Sequence, residues 1–462
     1  MIYFLAFVAA IAGFLFGYDE GVIAVARASL EKDLPMSPLV GGFMTAAVPL
    51  GALVAASVAG PITDRFGRRS VLMAAASLFA VGALMAAVID TVMLLIVARF
   101  LLGIAIGMAA VAAPLYIAEC APLKSRGAMV STYQLAITVG ILVSYLTGVV
   151  IDDETAKGMW RIMFGLGIVP GLLFLAGLAL LPESPRWLVR QQRTQEARAS
   201  LARLRSPAAD VDGEVAEMVR SVTAELNKPA GYRTLLEPAV RPALIVGVGL
   251  FFLQQLSGIN AVIYYAPDIF SHAGFDSSRT QLLATIGVGV VNVATTVLAM
   301  FLIDRLGRRP LLIVGFLGAA VTMLVIALGV VFPKVVPSWL IIAMLLLYIA
   351  SFALAIGPLP HLLMSEIFPL RVRGPGMSMA SLSNWGFNFV VVFTFPLMLA
   401  GPGLAFTFTL FALICLGGLV FTLTRVPETT GHSLEAIERH LMSDRPLGDL
   451  RRSSAGTTRQ KS

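Results

Sequence analysis

Residues 64–69 read DRFGRR, and 240 residues later residues 304–309 read DRLGRR. The recurrence has company. Glu119-x-x-Pro122-Leu-x-x-Arg126-Gly127 returns as Glu366-x-x-Pro369-Leu-x-x-Arg373-Gly374, and Pro182-Glu183-Ser184 returns as Pro427-Glu428-Thr429. Three matches in one order at nearly one period mean that the chain is written twice. The repeated unit is apolar. Of the 462 residues 58% are hydrophobic and only 13% are charged, with mean hydropathy +0.86. Soluble domains carry about 25% charge, so the composition excludes a soluble globule and points to a chain that crosses a membrane many times.

A spanning helix needs about 20 apolar residues. Twelve such runs are predicted, near 2–24, 41–61, 70–90, 92–117, 127–150, 160–181, 240–266, 280–303, 310–332, 338–364, 375–400 and 404–424. The first is read as a span and not as a cleaved leader, because no basic residue precedes it and Asp19 and Glu20 stand ahead of any cleavage-like site. The expected fold class is therefore all-α and polytopic, with twelve transmembrane helices in two six-helix pseudo-repeats. The expected domains are an N-terminal bundle (1–183), a cytoplasmic helical linker (184–238), a C-terminal bundle (239–426) and a cytoplasmic tail (427–462). Parallel repeats of this kind, with a midplane site between them, describe an alternating-access transporter.

Charge sets the orientation. With the N-terminus inside, 27 of the 34 Lys and Arg residues fall in cytoplasmic segments. Six (Arg27, Lys32, Lys157, Arg161, Arg279 and Lys334) fall outside, and Arg99 alone lies within a span. Both termini are expected to be cytoplasmic. The net charge of +7 is thus a topology signal, and no nucleic-acid partner is expected. Cys120 and Cys415, the two cysteines, make no disulfide framework.

The motifs resemble the sugar porter family of the major facilitator superfamily over nearly the whole chain. They include GYD at 17–19, DRFGRR and DRLGRRP, PESPRWL at 182–188, QQLSGINAVIYYAP at 254–267, SNWGFNF at 383–389 and PETTG at 427–431. PESPRW together with QQ-x-x-G-x-N is the specific part; RxGRR alone marks the wider superfamily. The resemblance implies a monomer of the cell (inner or plasma) membrane that handles a sugar, with the lipid bilayer and protons as its other partners.

A charge at the bilayer centre costs at least ~2.5–3.5 kcal/mol on insertion scales. Asp19 therefore needs a partner, and Arg99 is the economical one. With Arg99 close the carboxylate stays ionised; with Arg99 withdrawn, an acid cut off from water takes up a proton. Proton-coupled members of the family carry Asp at this place, paired with a fourth-helix Arg, so the resemblance implies proton symport with Asp19 as the proton site. One proton across ~100 mV is worth about 2.3 kcal/mol, enough for roughly fiftyfold accumulation at about 1.36 kcal/mol per tenfold. Glu20 points about 100° away from Asp19 on a helix. It is expected either to face the outer vestibule or to perturb Asp19.

Amides suit sugar hydroxyls because each side chain both donates and accepts, and an aromatic face packs on the apolar side of the ring. The spans supply Gln134 in the fifth run, Gln254, Gln255, Asn260 and Tyr264 in the seventh, Asn292 in the eighth, and Trp385 and Asn388 in the eleventh. Asn260 and Tyr264 share a helical face, as do Asn384 and Asn388. Gly258 is expected to loosen the seventh helix. His361 departs from the family, where Trp is common, and either favours a substrate smaller or more polar than a hexose or simply packs in the cavity wall.

At the inner helix ends Arg65, Arg68, Arg69, Glu119, Arg126, Glu183 and Arg186 mirror Arg305, Arg308, Arg309, Glu366, Arg373 and Glu428. The resemblance implies a cytoplasmic gate of salt bridges between the halves. Gly103-x-x-x-Gly107 is read as helix packing. No Ser/His pair, metal-ligand cluster or phosphate loop is placed for chemistry. Neither an enzyme nor a cofactor other than the coupling proton is expected. The alternatives are a facilitative sugar or polyol uniporter in which Asp19–Arg99 is structural, and a sugar sensor, which the short tail argues against.

Overall fold

The structure is a computed structural model and describes residues 1–122, 125–151, 157–207, 209–226, 232–272, 274, 277–369 and 372–430. Among them there is no strand. Twelve helices are long and apolar enough to span a bilayer. They are Ile2–Asp33, Pro38–Phe66, Arg68–Val88, Val92–Cys120, Arg126–Ile151 and Met159–Leu180, then Arg241–Tyr264, Ser278–Ile303, Arg308–Val331, Ser338–Ile367, Arg373–Ala400 and Leu404–Arg425. They are called here the first to twelfth spans. The chain divides into two compact units, Met1–Pro229 and Ala230–Ser462.

The repeat seen in the sequence is a repeat of packing. In the first unit the first span packs on the fifth, the second on the fourth and the third on the sixth; in the second unit the seventh packs on the eleventh, the eighth on the tenth and the ninth on the twelfth. Small residues let these helices close up. A Cβ at Gly103 would overlap the Val48 carbonyl oxygen, and one at Gly107 would overlap that of Ala52.

The DRxGRR motifs build the turn between paired spans. Gly67 and Gly307 separate the second from the third span and the eighth from the ninth, with φ of +93° and +90°, a backbone that favours glycine. The third and ninth spans then begin with unsatisfied N–H groups. Glu183 accepts the amides of Arg68 and Arg69 at 3.0 Å each, and Glu428 accepts those of Arg308 and Arg309 at 3.1 and 3.0 Å. An anion at a helix N-terminus is also favoured by the helix dipole. Thus the acids of PES and PET cap helices that begin more than a hundred residues earlier in the chain.

Three short helices follow the sixth span: Pro185–Arg190, Thr194–Leu204 and Val211–Leu226. Ser184 caps the first by accepting from Trp187, with Pro185 at the first helical position. Trp187, Leu188, Val189, Ala197 and Val222 bury a small core between them. Arg205 grips Glu214 with two nitrogens and donates to the Cys120 carbonyl at 2.8 Å, which ties these helices to the end of the fourth span.

Two outcomes follow from this packing. Gly103→Leu should cost about 1–3 kcal/mol by overpacking and lower the melting temperature of detergent-purified protein. Gly60→Leu, where a Cβ meets nothing within 4 Å, should leave it unchanged; equal effects at the two sites would contradict the packing. For Glu428, burial alone would raise the carboxyl, but the Thr430 hydroxyl and amide and the Arg308 and Arg309 amides hold it below its ordinary 4.5. A lowered value stabilises the fold above pH 4.5, and that stability is lost as pH falls through the folded value. Glu428→Gln should therefore melt lower at pH 7 and show a shallower loss below about pH 4.5; parallel wild-type and variant melting curves down to pH 3 would contradict this.

Candidate functional site

In the first unit, Asp19 sits mid-helix on the first span and Arg99 on the fourth. Both are buried, with side chains 2% and 0% exposed, and Arg99 Nη2 lies 3.6 Å from Asp19 Oδ2. That separation allows Coulomb attraction and is too long for a good hydrogen bond. The guanidinium is steered from two other sides. Its Nε donates to the Met44 carbonyl at 3.1 Å, and its Cζ lies 5.5 Å from the Phe164 ring centroid. Tyr18 is anchored by donating to the Met163 carbonyl at 2.8 Å, which fixes the rotation of the first span beside Asp19. Glu20 is 4% exposed, so of its two expected places the outer vestibule is set aside: the residue is inside the packed first unit. Gln134 is half-buried on the fifth span of the same unit.

In the second unit the polar residues cluster at a break. The seventh span is helical to Leu256 and resumes at Ile259, with Gly258 in the left-handed region at φ +92°. A Cβ on Gly258 would overlap the Phe411 ring, so space and backbone both require glycine. The tenth span breaks as well, through a π-helical turn at Phe352–Ile356. Each break releases backbone groups that need partners. Tyr348 donates to the Ser257 carbonyl at 3.0 Å, and Gln254 Nε2 donates to the carbonyls of Ile356 and Gly357 at 2.8 Å each. Gln254 therefore stitches the two breaks together.

From there an amide chain runs outward. Asn260 Nδ2 donates to Gln255 Oε1, and Gln255 Nε2 donates to Asn384 Oδ1, each at 2.5 Å. Gln255 is thus held at both ends. Asn260 Oδ1 and Asn384 Nδ2 make no bond to another described residue, which leaves one oriented acceptor and one oriented donor for a ligand. Asn388 is 2% exposed, and its Oδ1 has no hydrogen-bond partner among the described residues. Asn292, Tyr264 and Trp385 are buried. His361 is exposed on the tenth span just beyond its break, edge-on to the Phe251 ring at 4.7 Å and 85°. Asn384 is the participant that sequence reasoning left out of the site. Its i,i+4 spacing to Asn388 was the available signal.

Two ion pairs among the charged residues at the helix ends form within a unit. Arg68 meets Glu119 at 2.9 Å and Arg308 meets Glu366 at 3.0 Å. Glu119 also accepts from Ser184, and Glu366 from Thr429. Arg69 donates to the carbonyls of Leu178 and Ala179, and Arg309 to that of Leu423. Arg65 is exposed, 5.2 Å above the Phe66 ring, and Arg305 is exposed. Arg126, Arg186 and Arg373 are partly buried. The Arg68–Glu119 and Arg308–Glu366 pairs each lie within one unit.

Comparison with known proteins follows the same lines. The model of the family described as "Sugar (and other) transporter" matches residues 5–441. The galactose-proton symporter of Escherichia coli strain K12 is 40% identical over 97% of this chain and 96% of its own length. The D-xylose transporter of Levilactobacillus brevis is 38% identical, over 95% of each chain. A solved structure of the xylose transporter XylE from E. coli superposes with a TM-score of 0.81 at 31% identity, covering 94% of this chain and 99% of that one. Twelve spans in two repeated halves, a buried acid–arginine pair and an amide-lined break therefore stand in a chain that belongs to the sugar transporter family of the major facilitator superfamily.

Proposed function

We propose that this chain is a proton-coupled monosaccharide symporter of the cell membrane, taking a hexose or pentose and working by alternating access as a monomer with both termini cytoplasmic. The observation that carries the reading is the buried Asp19–Arg99 pair. A permanently structural ion pair in a dry interior repays its desolvation only through close, well-made hydrogen bonds. Here the Asp19–Arg99 contact is 3.6 Å long and Arg99 has other anchors at Met44 and Phe164. The pair is near enough for Coulomb attraction, and loose enough to part. Protonation of Asp19 then replaces Arg99 as the means of neutralising the carboxylate, and the state with the pair broken is the protonated one.

The sugar is assigned to the amide set. Gln255, Asn260 and Asn384 are pre-oriented by their mutual bonds, so binding orders few side chains and loses little entropy. Gln254 braces the break that carries them, and Gln134, Asn292, Asn388, Tyr264 and Trp385 complete the expected contacts. The relatives support both the substrate class and the coupling: they are named for galactose–proton and arabinose–proton symport and for xylose and glucose transport. His361 gives that wall a polar ring, which favours small or highly hydroxylated substrates.

In proteoliposomes given a proton gradient, wild type should accumulate one of a panel of labelled hexoses, pentoses and polyols. Asp19→Asn should lose uphill accumulation and keep sugar exchange at a comparable rate. Uphill accumulation by Asp19→Asn would make the pair structural and leave a facilitative or differently coupled carrier.

A further inference from the structure

Of the 34 Lys and Arg residues, six stand on the side of the membrane opposite the basic connections. Three of those six gather in one place. Lys32 at the end of the first span and Lys157 and Arg161 at the start of the sixth line a cavity of about 600 Å³, together with Asp33, Gly158 and Ile162. The transport reading makes no use of it.

The described acids here are already engaged. Asp33 accepts the Gly158 amide at 2.8 Å and the Trp160 indole N–H at 3.0 Å, which ties the end of the first span to the start of the sixth. Asp90 pairs with Arg161, and Glu31 with Arg27. The Arg161 Cζ lies 4.2 Å from the Trp160 ring centroid, so the guanidinium rests on a buried ring. Its Nη1 has no hydrogen-bond partner among the described residues. Lys32 and Lys157 are exposed and make no ion pair or hydrogen bond with a described residue. Two free ammonium groups and a held guanidinium thus face one acid whose carboxylate is satisfied.

The cavity also meets the apolar surface. Ile162 lines it and is exposed, and Leu166, Val169 and Leu173 are exposed after it. Positions i, i+4, i+7 and i+11 share one face of the sixth span. That face leads from the basic cavity into the hydrocarbon. A free anion gains nothing from such a stripe; a molecule with a charged head and an acyl chain uses both parts.

We propose that this cavity holds the phosphodiester headgroup of an anionic phospholipid, with an acyl chain lying along the exposed face of the sixth span. The ammonium groups of Lys32 and Lys157 and the Arg161 guanidinium donate to the phosphate oxygens. On the topology proposed above, the lipid belongs to the outer leaflet. The binding itself does not depend on that topology or on proton coupling.

Native mass spectrometry of the detergent-purified full chain tests this by counting retained lipid. Dioleoyl phosphatidylglycerol and dioleoyl phosphatidylcholine have the same chains and are supplied in turn. A Lys near an anionic headgroup is worth about fivefold in affinity. The double variant Lys32→Gln/Lys157→Gln should therefore hold the tightest phosphatidylglycerol about 25-fold more weakly than wild type. Its retention of phosphatidylcholine should be unchanged. Lys334→Gln, on the same side but outside the cavity, should match wild type. Ile162→Asn should weaken phosphatidylglycerol retention as well. Equal phosphatidylglycerol retention by wild type and the double variant overturns the proposal. So does equal retention of the two lipids by wild type, the result expected if the sequence neighbours Asp152, Asp153 and Glu154 cancel the cations. Phosphatidylglycerol that is displaced by millimolar inorganic phosphate and indifferent to Ile162→Asn makes this a free-anion site, and that too overturns the lipid.

Discussion

Hydrocarbon offers no hydrogen bonds, and that constraint shapes everything else in this chain. Helices satisfy their own backbone, so most of the molecule is helix. Where a helix must break, the chain has to supply replacements. Gly258 interrupts the seventh span and the π turn at Phe352–Ile356 interrupts the tenth. Tyr348 and Gln254 donate to the carbonyls released there. Polar side chains are thus drawn to the breaks by the backbone's own need. Once there they hold further amides, Gln255, Asn260 and Asn384, in fixed orientation. The candidate sugar site is built onto a structural repair.

The same constraint governs charge. Arg99 is fully buried and is kept in place by a carbonyl, an aromatic face and Asp19 together. Of these contacts the one to Asp19 is the loose one, at 3.6 Å, which is what an exchangeable pair requires. At the helix ends, where water returns, charge has a different task. Glu183 and Glu428 neutralise exposed N–H groups of the third and ninth spans, and Glu119 and Glu366 hold the arginines beside them. The repeated motifs make two copies of one joint, each of which locks a pair of spans to the end of its own half.

Much of this was legible in the sequence. Spans follow from run length, the two halves from DRFGRR and DRLGRR, and the proximity of Asp19 to Arg99 from the cost of leaving either alone. Gly258 was legible as a break because glycine punctuates a helix next to polar residues. Other features depend on how helices rotate against one another, which composition does not encode. The close approach of Gly13 and Gly17 to the Tyr133 and Ile137 carbonyls of the fifth span sets how the first span is turned. The bond from Gln255 to Asn384 requires the seventh and eleventh spans in register. The tenth-span π turn has no local signal beyond Gly357-Pro358. The sequence pairs acids with arginines by motif alone; coordinates were needed to show Arg68 on Glu119 and Arg308 on Glu366.

The central claim is that sugar and proton cross together. It is tested most directly with a pH electrode in a lightly buffered suspension of de-energised proteoliposomes, to which sugar is added with no proton gradient present. The account predicts immediate alkalinisation of the medium on sugar addition, abolished by a protonophore and by Asp19→Asn. Sugar entry at full rate with a flat pH trace would contradict it and make the chain a facilitative carrier.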